Sequence, residues 1–97
     1  MTTYVTLYKI TDQGMRTIKD STRRLEAAKA AGAQAGVTVK EALWLQGEYD
    51  FMVILEASDE IAATAFQLSI AKLGNVRGQT MRAFPVAEME KILAKVS

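Results

Sequence analysis

Two strand-like segments, residues 37–46 and 51–57, are separated by only four residues, Gly47-Glu48-Tyr49-Asp50. So short a connection admits an antiparallel hairpin, because a parallel crossover needs about a dozen residues or more. The second segment, "FMVILEA", carries five large apolar side chains in a row, Phe51 to Leu55. A strand on a one-sided sheet alternates apolar and polar residues; a continuous run signals burial on both faces. The chain must therefore build a sheet around a hairpin and cover both sides of its central strand.

The rest of the sequence supplies the other elements. Residues 3–11, "TYVTLYKIT", are rich in β-branched and aromatic residues and read as a strand. Asp12-Gln13-Gly14 breaks that pattern. Residues 15–35 read as one helix, with Met15, Ile18, Thr22, Leu25, Ala28 and Gly32 on one face and charged residues opposite. Gly36 fits a C-terminal cap. In the second strand Val39, Leu43 and Leu45 share one parity, and Trp44 and Gln46 the other. Ser58 is the expected N-cap of a second helix, followed by acids in the first turn. Its inward stripe would be Ala62, Phe66, Ser69, Ile70 and Leu73, and Gly74-Asn75 would end it. Residues 76–84 form a fourth strand, and Pro85 precedes a short amphipathic helix over residues 86–96.

The order is βαββαβ plus a terminal helix, an α+β ferredoxin-like arrangement. Right-handed crossovers place both long helices on one face of a four-stranded antiparallel sheet. At 97 residues, one domain spanning 1–97 is expected. The other sheet face then needs a cover. Tyr4, Thr6, Tyr8 and Ile10 share one parity of the first strand, and with Trp44, Gln46 and Arg82 they are expected on that open face. An apolar patch of this kind is unusual on a monomer, so a second copy packed sheet to sheet is expected, as a dimer or higher homo-oligomer. The alternative cover is the terminal helix.

Several function classes are disfavoured by what the chain lacks. With 0 cysteines and 0 histidines there is no thiolate nucleophile, no imidazole base, and neither of the commonest transition-metal ligands. Neither metal nor cofactor is expected. The net charge of +1 gives no global pull toward nucleic acid or an anionic membrane. The start, "MTTYVTLYKI", lacks the basic region and apolar run of a signal peptide, and no stretch is long enough to span a bilayer. A cytoplasmic location is expected.

The strand "TYVTLYKITDQG", the hairpin "LQGEYDFMVILEA", the helix end and strand "LGNVRGQTMRAF", and the order of elements resemble the GYD domain family. Its Gly-Tyr-Asp signature corresponds here to Gly47, Tyr49 and Asp50, with Glu48 inserted after the glycine. The resemblance implies a dimeric α+β barrel, in agreement with the open-face argument. It implies no established activity.

Candidate ligand-binding residues are Tyr8, Trp44, Tyr49, Asp50 and Arg82. Aromatic rings with a few polar groups suit a small-molecule pocket, and suit a dimer core equally well. Gly47 to Asp50 read either as the hairpin turn or as a group aimed into a barrel-mouth cavity. The basic side of the first helix, with Arg16, Lys19, Arg23 and Arg24, reads as a solvated face with helix charge pairs. Three functions remain: an oligomeric small-molecule-binding or accessory protein with a pocket at the sheet and hairpin region, a cofactor-free monooxygenase or isomerase of the dimeric α+β barrel type, and a structural oligomer subunit.

Overall fold

The computed structural model describes residues 1–97. Strands β1 (Thr2–Ile10), β2 (Val37–Trp44), β3 (Phe51–Ala57) and β4 (Val76–Ala83) form one antiparallel sheet in the order β2-β3-β1-β4. Four helices accompany it: α1 (Asp12–Arg16), α2 (Ser21–Gln34), α3 (Glu60–Ala71) and α4 (Val86–Leu93). The fold is α+β and ferredoxin-like, as the element order predicts.

The expected helix over residues 15–35 is divided. It starts earlier, at Asp12, where the Thr11 hydroxyl accepts from the Gly14 N–H at 3.1 Å. It then breaks at Thr17, and a 3-10 turn, Ile18–Asp20, leads into α2. Polar side chains compete for the backbone here. Arg24 donates to both the carbonyl and the hydroxyl of Thr17, at 3.0 and 2.8 Å, and Ser21 Oγ donates to the Ile18 carbonyl at 2.7 Å. The cap of α3 is also shifted by one residue. Asp59, not Ser58, holds extended dihedrals and accepts from the Ala62 N–H at 2.8 Å.

Cross-strand register assigns the two faces. Tyr4, Thr6 and Tyr8 of β1 pair with Leu55, Val53 and Phe51 of β3. On β4, Arg82, Thr80 and Gly78 oppose the same three β1 residues. This is the face under the helices, because the Tyr8 hydroxyl donates to Gln67 of α3 at 2.8 Å. The expected face assignment is therefore reversed. Tyr4, Thr6 and Tyr8 are buried at 5%, 0% and 3% exposure, and Trp44 and Arg82 share their side of the sheet. Gln46 lies beyond the end of β2. Volume explains the reversal. The residues that α2 turns inward are mostly small, Ala28 and Gly32 among them, and large rings on the sheet occupy part of the space beneath it.

Strand β2 carries one extra residue. Val39 pairs with Leu55 and Glu41 with Ile54, which leaves Lys40 as a bulge. The bulge resets the alternation, so Val39 joins Ala42 and Trp44 on the helix side and Leu43 turns away. Leu45 lies beyond the strand.

The opposite face presents Val5, Leu7, Leu43, Met52, Ile54 and Met81. Leu43 is 47% exposed and Met81 37%. The shortest extent of the molecule, 18 Å, accommodates one sheet layer and one helix layer. Helix α4 does not cover this face. It buries none of its residues and packs extensively against no strand, and Glu88 ties it to Arg82 at 2.8 Å.

Candidate functional site

Helices α2 and α3 stand apart over the sheet and leave a cavity of about 350 Å³ between them. That is within the range of small-molecule sites, near its lower end. Helix α2 presents Leu25, Ala28 and Ala31 to it, and α3 presents Phe66 and Ile70. The sheet contributes Tyr8, Val39, Trp44, Phe51 and Val53 to the floor. Fourteen of the eighteen lining residues are hydrophobic. Three rings make a continuous aromatic wall: Phe51 stacks on Tyr8 with centroids 5.8 Å apart and lies 4.8 Å from Trp44.

Tyr8 is held in place by two features. Its hydroxyl donates to Gln67 Oε1, and its ring lies over Gly78, the opposing residue of β4. A Cβ at position 78 would sit 2.8 Å from that ring and 2.3 Å from Gln67 Nε2, so only glycine admits the pair. Burial raises the Tyr8 phenol to about 12. At neutral pH it is a hydrogen-bond donor, and it is a poor proton acceptor.

The five predicted site residues do not converge. Tyr8 and Trp44 line the cavity. Asp50 is fastened below it: its carboxylate accepts the Ile10 N–H at 2.8 Å, and its own N–H donates to the Tyr8 carbonyl at 2.8 Å. The Asp50 side chain thus supplies the acceptor that the sheet ladder lacks one residue before β3 begins. Tyr49 reaches the other face. Its hydroxyl donates to Gln79 Oε1 at 3.4 Å and the Lys9 ammonium lies 5.5 Å from its ring centre. Arg82 is four strand positions from the Tyr8 pairing, opposite Tyr4. There it bonds Glu88 and the Thr3 carbonyl and stacks on Phe84 at 4.6 Å. Gly47 adopts φ +134° at the turn, a conformation that favours glycine.

Sequence reasoning missed Gln67 and Gly78, and it placed Arg24 on a solvated face. Arg24 instead lies at the cavity, the sole charged residue among those lining it. Its binding to Thr17 spans seven residues across a helix break, which no spacing rule anticipates. The small inward residues of α2 were the one legible signal of the space beneath it. No three carboxylates cluster as a metal cage would require, and no helix is long and apolar enough to cross a membrane.

Comparison with known proteins places this geometry in context. The family model described as the GYD domain matches residues 4–93. A relative from Thermus thermophilus, named glutamine synthetase and cystathionine beta-lyase binding protein, is 32% identical over 90 residues. The match covers 92% of this chain and 95% of the relative. The crystal structure of TTHA0845, also from Thermus thermophilus, superposes with a TM-score of 0.57 at 23% identity. It covers 89% of this chain and 96% of that one, and it shows the fold alone.

Proposed function

This chain belongs to the GYD domain family, and from that membership we propose that it is a homo-oligomeric binding protein whose cavity takes up a small apolar molecule. The observation that carries this reading is the cavity itself, apolar on fourteen of its eighteen lining residues and walled by three rings. A purely structural subunit would be expected to fill that space, since interiors pack to crystal density. A cofactor-free enzyme would need a proton acceptor in the cavity. Tyr8 stays protonated up to about pH 12, and the Asp50 carboxylate is engaged by a backbone N–H. The chemistry of the walls therefore favours binding over turnover.

The open sheet face supports self-association. Val5, Leu7, Met52 and Ile54 form an apolar centre, with Leu43 and Met81 on the edge strands. A two-fold pairing of such faces would bury all six and remove the patch from water. A second reading comes from the relative's name: that protein is described as binding two enzymes. On this reading the same face, or the apolar side of α4 with Val86 76% and Leu93 55% exposed, would dock another protein.

Native mass spectrometry, followed by titration with naphthalene as an uncharged apolar probe, tests the proposal. A dimer or larger species that takes up one probe per chain is the expected result. Ala28→Trp, which projects a ring into the cavity, should abolish uptake and leave the oligomer intact. A monomer would remove the self-association, and a wild-type oligomer indifferent to naphthalene would remove the binding function.

A further inference from the structure

The cavity has an apolar body and one polar end, and the polar end carries an uncompensated positive charge. Arg24 lines it, and none of the four ion pairs in the molecule includes Arg24. The guanidinium is not free to swing away. It donates to the Thr17 carbonyl at 3.0 Å, the Thr17 hydroxyl at 2.8 Å and, more weakly, the Gly14 carbonyl at 3.4 Å. Those bonds engage three of the five N–H groups of a guanidinium and leave two unpartnered.

Asn75 stands at the same end. Gly14, whose carbonyl receives Arg24, lies so close to Asn75 that a Cβ on Gly14 would sit 2.2 Å from the Asn75 carbonyl oxygen. The Asn75 side-chain oxygen accepts from Gln13 Nε2 at 3.2 Å, which leaves its amide nitrogen free to donate. Arg24 and Asn75 both line the cavity, which thus offers a fixed cation and a neutral donor. An acceptor-rich anion meets both, and a carboxylate does so with two oxygens matched to a guanidinium. The other two polar lining residues, Ser21 and Ser69, donate their hydroxyls to the Ile18 and Ala65 carbonyls, and the remaining wall is apolar, with the Tyr8, Phe51 and Trp44 rings suited to an aromatic body.

We propose that the cavity is a site for a small aromatic carboxylic acid, with its ring against Phe51 and Trp44 and its carboxylate on Arg24. The assignment rests on the cavity being a binding site, as argued above, and adds the charge of the ligand. A partly desolvated arginine prefers an anion for a physical reason: its attraction is strengthened where apolar walls exclude water. A neutral ligand of the same shape would leave the charge unmatched.

The test compares 2-naphthoate with its uncharged analogue 2-naphthamide by isothermal titration calorimetry on the intact protein. The indole signal of Trp44, the single tryptophan, reports location by NMR. Wild-type protein should prefer the carboxylate by about tenfold or more, as a charge-assisted hydrogen bond implies. Arg24→Gln should remove that preference by weakening 2-naphthoate far more than 2-naphthamide, with circular dichroism confirming that the variant is folded. Raising salt on wild-type protein should erode the preference, a readout that needs no variant. Equal affinity for the two ligands in wild-type protein would overturn the charge assignment and leave the apolar site standing. A preference that survives Arg24→Gln would overturn the role of Arg24. Failure of both ligands and of naphthalene to bind would overturn the site altogether.

Discussion

Replacing Asp50 separates a structural signature from a catalytic one. Asp50 Oδ2 accepts the Ile10 N–H at 2.8 Å, at the point where β3 has not yet begun. Asp50→Ala removes a charged acceptor and leaves that N–H to water or to nothing. Hydrogen bonds to charged groups contribute roughly 1.5–3 kcal/mol, and a half-exposed site that water can reach lies toward the low end, about 1–2 kcal/mol. For a chain of this size each kcal/mol lowers Tm by about 4–8 °C. Asp50→Asn keeps an oxygen in place but not its charge, and should cost about half as much. The main-chain bonds of residue 50, to Tyr8 at 2.8 Å and Leu45 at 2.9 Å, remain in both variants. Urea unfolding at one fixed protein concentration measures the series, since an oligomer's stability depends on concentration. Naphthalene uptake by the folded variants should match wild type, because Asp50 is not part of the cavity wall. An alanine variant as stable as wild type would refute the fastening. Normal stability with lost uptake would move Asp50 into the site.

Gly47→Ala should cost roughly 1–3 kcal/mol through backbone strain alone, since φ is +134° and no atom lies within 4 Å of the added methyl; urea unfolding shows it. Ile54→Lys places a charge at the centre of the open face, beside Glu41, which opposes residue 54 across the sheet. It should yield folded monomers by sedimentation velocity, whereas an intact dimer would show that the face is not the interface. The Tyr8 phenol is raised above its unfolded value, so its contribution to stability is complete below about pH 10 and lost as pH climbs toward about 12. The difference in phenolate absorbance between wild type and Tyr8→Phe should have its midpoint near 12, and a midpoint near 10 would mean that solvent reaches the hydroxyl.

The hairpin was legible because four connecting residues leave no other topology, and the element order followed from apolar periodicity and the glycines that close the helices. The orientation of the sheet was not legible. Tyr4, Thr6 and Tyr8 alternate with Val5 and Leu7, and both sets look buriable; parity divides them without saying which set faces the helices. The small inward residues of α2 bear on it, through volumes that meet in three dimensions. Lys40 erased part of the pattern in β2, because a bulge changes the phase and carries no signature in a lysine. The candidate site was half legible. Tyr8 and Trp44 belong to one cavity, but Asp50, Tyr49 and Arg82 serve three other places. Tyr49 and Asp50 precede β3 and their side chains part, Tyr49 toward Gln79 on the open face and Asp50 to the Ile10 N–H.

Helix α2 is fixed unequally along its length. Its one buried residue is Gly32, near the C-terminal end, where a Cβ would lie 3.1 Å from both the Phe66 ring and the Val37 carbonyl. Near the other end Arg24 and Ser21 tie it to the segment preceding the helix. Between these two points the helix lies over the cavity, with Leu25 and Ala28 only partly buried. Such a segment opens locally at a small free-energy cost, well before the sheet unfolds. Its amides should therefore exchange hydrogen sooner than those of β1 and β3, and a molecule could enter the cavity by the lifting of one helix. The same helix would be slowed by an occupant. Occupancy would then be recorded in the motion of an exposed surface, where anything resting on that surface could sense it.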